Sequence, residues 1–473
     1  MSITTTRNKT LIKNTLIISI GKLGTSGISF FLLPLYTAVL EPSEYGVQEL
    51  ITTVTWILSI IFGMQLSQGG YRFLLDARND KEKSSTVVTN VIFVFLLGGT
   101  ILTILFFITD LFFHPPYIWY VYILTVLYMF FPIGQEILRG ENHYIEYALI
   151  GFILTASALI LNILFVLHYH MGVRGLLLSS IISYIVLSIV LFFRCSLIKN
   201  FSIKKINRST IQEILAYSLP LVPNELSWWV IKGSDRIILS IILGVAANGV
   251  MSVAHKFPAA FILYYNYFNA SWIETVVLHL KDDDHEEYIS NTVNFVLRFI
   301  LCLGIGVIAI MPFVFPIMVN SQYIEAYNQI PIFMIATLFN VVVGLTSGFY
   351  VANKNTQRVA QTAIMAAIIN IIVHLATIKW IGIYAASISS LCAFVFFGLF
   401  RVIDSQKYCK IRYAVRFYIL WGILLLFVLV SYYTKIKIIQ ICFLIVVIFF
   451  SLISNRRIFS KLLSKIKSNK SKK

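Results

Sequence analysis

Asn90–Phe107 reads NVIFVFLLGGTILTILFF, without one charged residue. A helix rises 1.5 Å per residue, so about 20 apolar residues cross the roughly 30 Å hydrocarbon core of a bilayer. Near the other end, Ile439–Ile453 (IQICFLIVVIFFSLI) repeats the pattern. Barrel strands alternate apolar and polar residues, and these runs do not, so the spans are helices. Composition agrees along the whole chain: 58% of residues are hydrophobic and 12% are charged. Soluble proteins sit nearer 45–50% and about 25%. In lipid every backbone polar group must be paired within the chain, which leaves an all-α integral membrane protein.

Fourteen spans are predicted, at 14–38, 46–66, 87–109, 117–138, 146–168, 174–193, 213–244, 247–272, 292–319, 329–351, 357–378, 381–402, 415–433 and 436–454. Twelve would remain if the two weakest were not crossed. The first run is long enough to span and has no small-residue cleavage pattern after it. It reads as a first transmembrane helix and not as a signal peptide. Connections are short, with no room for an extramembrane domain.

Lys and Arg fall unevenly on the two sides. Counting alternate loops from the N-terminus, 29 of the 38 lie on one side, among them Arg7, Arg72, Lys204, Arg412 and Lys473. The other side holds four: Arg174, Lys379, Lys435 and Lys437. That bias puts both termini in the cytoplasm. It also accounts for the net charge of +17, as loops lying against anionic headgroups, with no need for nucleic acid.

An internal repeat appears at an offset of 203 residues. Val39–Val47 (VLEPSEYGV) then falls on Ile242–Val250 (ILGVAANGV), and both carry Leu-x5-Gly-Val. The organisation inferred is a lobe at 1–208, a second at 209–404, and two extra helices with a basic tail at 405–473. Parallel repeats of this kind build many transporters.

Enzymatic and metal chemistry find little support. The five cysteines are scattered and form no CxxC pair, and no phosphate-binding Gly-x4-Gly-Lys-Ser/Thr stretch occurs. The acidic run Asp282–Glu287 reads as a solvated cytoplasmic loop, and His168 and His170 as surface residues. No metal site, cofactor or catalytic group is expected, and the chain is not read as an enzyme.

Charges inside spans carry the functional signal, because an ionised group at mid-bilayer costs about 2.5–3.5 kcal/mol on insertion scales. In the seventh span Glu225, Trp229, Lys232 and Arg236 follow at i, i+4, i+7 and i+11, close to one helical line, with Asp235 beside them. Pro220 and Pro223 should bend or break that helix at its cytoplasmic end. The eighth span offers Lys256, Tyr267 and Glu274. The first offers Lys22, Ser26, Ser29 and Tyr36, and the second Gln48, Thr52, Thr55 and Ser59. Polar stripes on the first two helices of each half suit a shared aqueous cavity. Lys22, Lys232, Arg236 and Lys256 against Glu225 and Asp235 give it a charge of +2, which fits an anionic ligand with a sugar part. The same charges could instead pair only to lock helices, and Arg298 could snorkel outward.

Asn14–Leu50 (NTLIISIGKLGTSGISFFLLPLYTAVLEPSEYGVQEL) resembles the opening of bacterial polysaccharide-transport flippases. These are Wzx-type repeat-unit exporters of the multidrug/oligosaccharidyl-lipid/polysaccharide (MOP) superfamily. Gly69–Phe73 (GGYRF) is similar to that family's turn after its second helix. Gly233–Leu239 (GSDRIIL), followed by Leu243-Gly244 and Gly249-Val250, is similar to the start of its second half. The resemblance implies two six-helix lobes with two trailing helices, a MATE-like fold, in the bacterial cytoplasmic membrane. It implies alternating-access export of an undecaprenyl-diphosphate-linked oligosaccharide for surface polysaccharide (O-antigen, capsule or exopolysaccharide), next to a polysaccharide polymerase and a chain-length regulator.

On that reading the diphosphate sits near Lys22, Lys232, Arg236 and Lys256. The glycan stacks on Trp228, Trp229 and Tyr267, and the polyprenyl tail stays in lipid along the last two helices. Either Glu225 or Asp235 binds a coupling proton or Na⁺, and Arg72, Glu274 and Arg298 are candidates for a cytoplasmic gate. The alternatives are a drug/cation antiporter of the same superfamily, a lipid II flippase, and a membrane polymerase or ligase of lipid-linked glycans.

Overall fold

The computed structural model describes residues 30, 32–77, 80–197, 201–280, 282–353 and 355–456. Lys22, Ser26, Ser29 and both termini lie outside the described residues, as does the side chain of Tyr267. The chain is an all-helical membrane protein. Its described residues contain no strand, and eleven of their helices are long and apolar enough to cross a membrane.

The chain divides into two compact units, Met1–Ser252 and Val253–Lys473. The first contains α1 (Leu33–Val39), α2 (Pro42–Gly63), α3 (Leu66–Ala77), α4 (Lys81–Phe113), α5 (Ile118–Gly140) and α6 (Tyr144–Asn162, prolonged by a π-turn to His168). It continues with α7 (Gly172–Arg194), α8 (Arg208–Ser218), α9 (Leu221–Ile242) and the first turns of α10 (Val245–His279). The second holds the rest of α10, then α11 (His285–Met318), α12 (Ile324–Ala352), α13 (Thr356–Ile381), α14 (Tyr384–Ser405), α15 (Val415–Thr434) and α16 (Lys437–Ser454). Every predicted span from the second to the fourteenth has its helix. Two of those helices, α9 and α10, fall outside the eleven. α9 carries Glu225, Lys232, Asp235 and Arg236, and α10 carries Lys256, Asn266, Asn269 and Glu274.

Local chemistry sets the helix starts. Pro42 opens α2, and a capping box of Glu41 and Glu44 satisfies its first N–H groups. Asp80 accepts from the N–H groups of Glu82 and Lys83 at the start of α4. Those bonds hold its carboxyl below the usual carboxylate range. The predicted span 213–244 is broken in two at Leu219–Pro220, since proline removes one helical N–H and clashes with the preceding turn. A second break was not expected: α2 stops at Gly63, and Met64 and Gln65 both take positive φ, 47° and 52°.

The same device holds a linker in each unit. Asn90 on α4 donates from Nδ2 to the Lys205 carbonyl (3.0 Å) and accepts the Asn207 N–H (2.9 Å). Asn294 on α11 donates to the Arg412 carbonyl (2.8 Å) and accepts the Ala414 N–H (2.9 Å). Each asparagine lies on the third helix of its proposed half. It satisfies both edges of the backbone that follows that half's sixth helix.

Packing in the first unit centres on Leu66, Leu74, Val91, Phe131, Leu138 and Leu191. In the second, Trp272 and Tyr265 of α10 bury their rings beside Val341, Leu345 and Phe349 of α12. Their polar tips donate to the carbonyls of Leu345 (2.8 Å) and Val341 (2.9 Å). The second unit also encloses a charge. Arg401 is 1% exposed. Its guanidinium donates to Ser347 Oγ (2.5 Å), Thr362 Oγ1 (3.0 Å) and the carbonyls of Val343 and Val359. One turn on, Asp404 accepts from Tyr350 (2.9 Å), Arg358 (3.3 Å) and Lys407 (2.9 Å). Together these residues tie α12, α13 and α14.

Removing one member of a buried charge network costs about 3–5 kcal/mol, whereas an exposed partner is worth about 0–1 kcal/mol. Arg401→Ala is therefore expected to lower the thermal unfolding midpoint of the detergent-solubilised protein sharply. Lys407→Ala, whose side chain is 72% exposed, should leave it nearly unchanged. Equal effects would show that Arg401 does not anchor the three helices.

Candidate functional site

The second helix of the first sequence repeat meets the opening pair of the second repeat within the first unit, at α2, α9 and the start of α10. They can approach because both carry glycine at the point of contact. A Cβ on Gly46 would run into the Val245 carbonyl, and one on Gly249 into the Pro42 carbonyl. The four positions exchange under the 203-residue offset, so the crossing is quasi-symmetric. Asn248 Nδ2 donates to the Gly46 carbonyl at 2.8 Å. Small residues that let backbones touch are what hold helices together where lipid supplies no hydrophobic drive.

One turn further along α2 lies a buried ion pair. Arg236 Nη1 of α9 is 3.2 Å from Glu49 Oε2 and also donates to Thr53 Oγ1 at 3.3 Å. Thr53 in turn donates to the Glu49 carbonyl (2.7 Å), and Trp229 Nε1 donates to the Thr53 carbonyl (3.2 Å). Gly233 makes room for this layer, since a Cβ there would press on Thr53 Cγ2 and the Trp229 ring. The Glu49 and Arg236 side chains are 7% and 18% exposed, so neither is neutralised by water. Beside them Lys232 is exposed, its amine 5.3 Å from the Trp228 ring centre. Asp235 is buried on the adjacent face, and Glu225 is half-buried near the start of α9.

The seam therefore gathers Trp228, Trp229, Lys232 and Arg236 on α9, with Glu225 toward its start. Lys256 is half-buried in the second unit, and Glu274 is exposed. Arg298 is half-buried with its guanidinium 4.6 Å over the Phe417 ring, which holds it against α15. Arg72 is exposed and paired with Asp76 at 2.7 Å. Glu49 was not singled out, although it is the one charged residue in the predicted span 46–66. The stripe read there, Gln48, Thr52, Thr55 and Ser59, turns largely elsewhere: Gln48 bonds Thr52 within α2. No cluster of metal-ligating side chains occurs among the described residues.

Residues 11–277 match the family described as polysaccharide biosynthesis protein, more than half of the chain. The chain belongs to the polysaccharide biosynthesis protein family. No curated protein sequence matches it. Among solved structures it is similar to an inward-facing multidrug resistance MATE family transporter of the MOP superfamily. The identity is 14%, over 84% of this chain and 98% of that one, with a TM-score of 0.67. It is also similar to an outward-facing transporter of that description, at 14% identity over 84% and 96%, with a TM-score of 0.55. A MATE structure in complex with MaL6 gives 14%, 84% and 96%, with a TM-score of 0.58. The sequence match shows the family, and the structural matches show a MATE-like fold.

Because Glu49 and Arg236 are both enclosed, each is costly without the other. Glu49→Gln and Arg236→Gln alone are expected to destabilise the solubilised protein by about 3–5 kcal/mol. The double variant should lose less than the sum by about 0.5–3 kcal/mol. Thermal unfolding of all four proteins measures this, and strict additivity would mean the two groups do not interact.

Proposed function

We propose that this member of the polysaccharide biosynthesis protein family flips undecaprenyl-diphosphate-linked oligosaccharide units across the bacterial cytoplasmic membrane by alternating access, with both termini in the cytoplasm. The observation that carries the reading is the α2–α9 seam. There an arginine fork is paired with a buried carboxylate, and a lysine lies exposed next to it. A diphosphate offers two anionic groups of the geometry that guanidinium binds in bidentate fashion. It would compete with Glu49 for Arg236 while Lys232 meets its second charge. Lys22 and Lys256 are the further cations proposed for it.

Export by this route needs no cofactor beyond a coupling proton or Na⁺. Glu49, enclosed and facing an arginine, joins Glu225 and Asp235 as a carboxylate that could take it. Trp228 presents a ring for the glycan, as the reading requires. Trp229 has its N–H committed to Thr53 and serves the glycan only through its ring face. A polysaccharide polymerase and its chain-length regulator would receive the exported unit. Lobes at 1–208 and 209–404, with two trailing helices, are the proposed moving parts.

The test is depletion of the protein in its native cell, with mass spectrometry of extracted polyprenyl-diphosphate glycans and an assay of surface polysaccharide. Accumulated repeat units with loss of one surface polymer are expected, and Arg236→Gln should reproduce them. Accumulated lipid II with lysis would move the substrate to peptidoglycan. Unchanged lipids with new sensitivity to cationic drugs would overturn the flippase in favour of an antiporter.

A further inference from the structure

The first unit contains a cavity of about 250 Å³ between α2, α5 and α7, lined by Trp56, Ser59, Gln65, Tyr128, Pro132 and Tyr184 among others. It lies beside the end of α2 and a proline within α5. On α2 the helix stops at Gly63, and two non-glycine residues, Met64 and Gln65, take the left-handed conformation. Such residues are uncommon there and are held only where surrounding structure enforces them. On α5 Pro132 lies inside the helix and has no N–H for the carbonyl of Tyr128 one turn earlier. The break after α2 puts the Gln65 amide at the cavity wall.

The wall sets an indole, two phenols, an amide and two hydroxyls among the apolar side chains of Ile60, Leu66, Met129 and Phe131. The Ser59 hydroxyl spends its proton on the Trp56 carbonyl (2.7 Å), which leaves its lone pairs to accept. Tyr128 and Tyr184 stand with ring centres 4.9 Å apart. Flat apolar faces edged by donors and acceptors match a sugar ring, whose C–H face packs on an aromatic while its hydroxyls bond at the rim. The volume is below the roughly 300–1,000 Å³ of pockets that hold drug-sized ligands, so it suits one ring and not a chain.

Position selects which ring. On α2, Glu49, Thr53 and Trp56 follow at i, i+4 and i+7, along one line of the helix. Trp56 is therefore about 10 Å from Glu49 along the axis. A diphosphate drawn to Arg236 and Lys232 places its attached sugar within that reach.

We infer that the α2–α5–α7 cavity is a monosaccharide subsite for the sugar next to the diphosphate. This rests on the flippase reading, and the experiment separates the two. The full chain, in nanodiscs, is titrated with undecaprenyl diphosphate that is bare or carries one hexose or one N-acetylhexosamine. The wild type should bind one glycosylated form at least tenfold more tightly than the bare carrier. Trp56→Ala and Gln65→Leu should bring that form to the affinity of the bare carrier, and Trp56→Phe should keep most of the preference. Wild-type binding without discrimination, or discrimination that survives both Trp56→Ala and Gln65→Leu, would overturn the subsite and leave the flippase reading intact. Failure to bind any of the three lipids would overturn the flippase reading itself. If Trp56→Ala does not fold, Gln65→Leu decides alone.

Discussion

Lipid supplies no partner for a polar group, and the structure is organised by that constraint. Each charge or amide within the spans has to be met from inside the chain. Arg401 is met by two hydroxyls and two carbonyls and becomes the centre of a three-helix block. Asn90 and Asn294 close the backbone of linkers that would otherwise expose bare N–H groups. Among the described residues, Arg236 is met by one carboxylate and one hydroxyl. That difference separates the framework from the candidate site: Arg401 is surrounded by hydroxyls and backbone carbonyls of two neighbouring helices, and Arg236 meets its described partners through one nitrogen of its fork.

The two sequence repeats make the contact beside Arg236 possible. Because Pro42 and Gly46 correspond to Val245 and Gly249, each half brings the same surface to the crossing. A self-matching surface needs small residues on both sides at once, which is why Leu-x5-Gly-Val recurs. The paired asparagine clamps support the same duplication, from residues that share no motif beyond the side chain.

Much of this was legible in the sequence, for physical reasons. Apolar runs declare spans, since only helices can carry them through lipid. Pro220 declared the break before α9. The break at Met64–Gln65 was not legible, because neither residue is glycine or proline and the positive φ values are imposed by packing. Arg401 was not singled out, because counting cations by side does not report burial at a helix end. Glu49 escaped because a stripe of polar residues one position away drew the periodicity. Its partner lies 187 positions further on, and periodicity reports only neighbours on one helix. Arg236 and Trp229 were legible as one face of α9, yet the tryptophan's commitment to a backbone carbonyl was not.

The choice of arginine at position 236 follows from the same constraint. A lysine there would carry a compact, strongly hydrated charge and could point at one acceptor at a time. The guanidinium reaches Glu49 and Thr53 from one nitrogen, and keeps other N–H groups in a plane that suits a phosphate. Lys232, on the exposed side of α9, is the compact point charge of the pair, standing over the Trp228 ring. The seam thus sets a guanidinium paired with a carboxylate beside an ammonium that stands over a ring. Under the proposed function, an incoming dianion would meet Lys232 without displacing a carboxylate from it, and would gain Arg236 only in competition with Glu49.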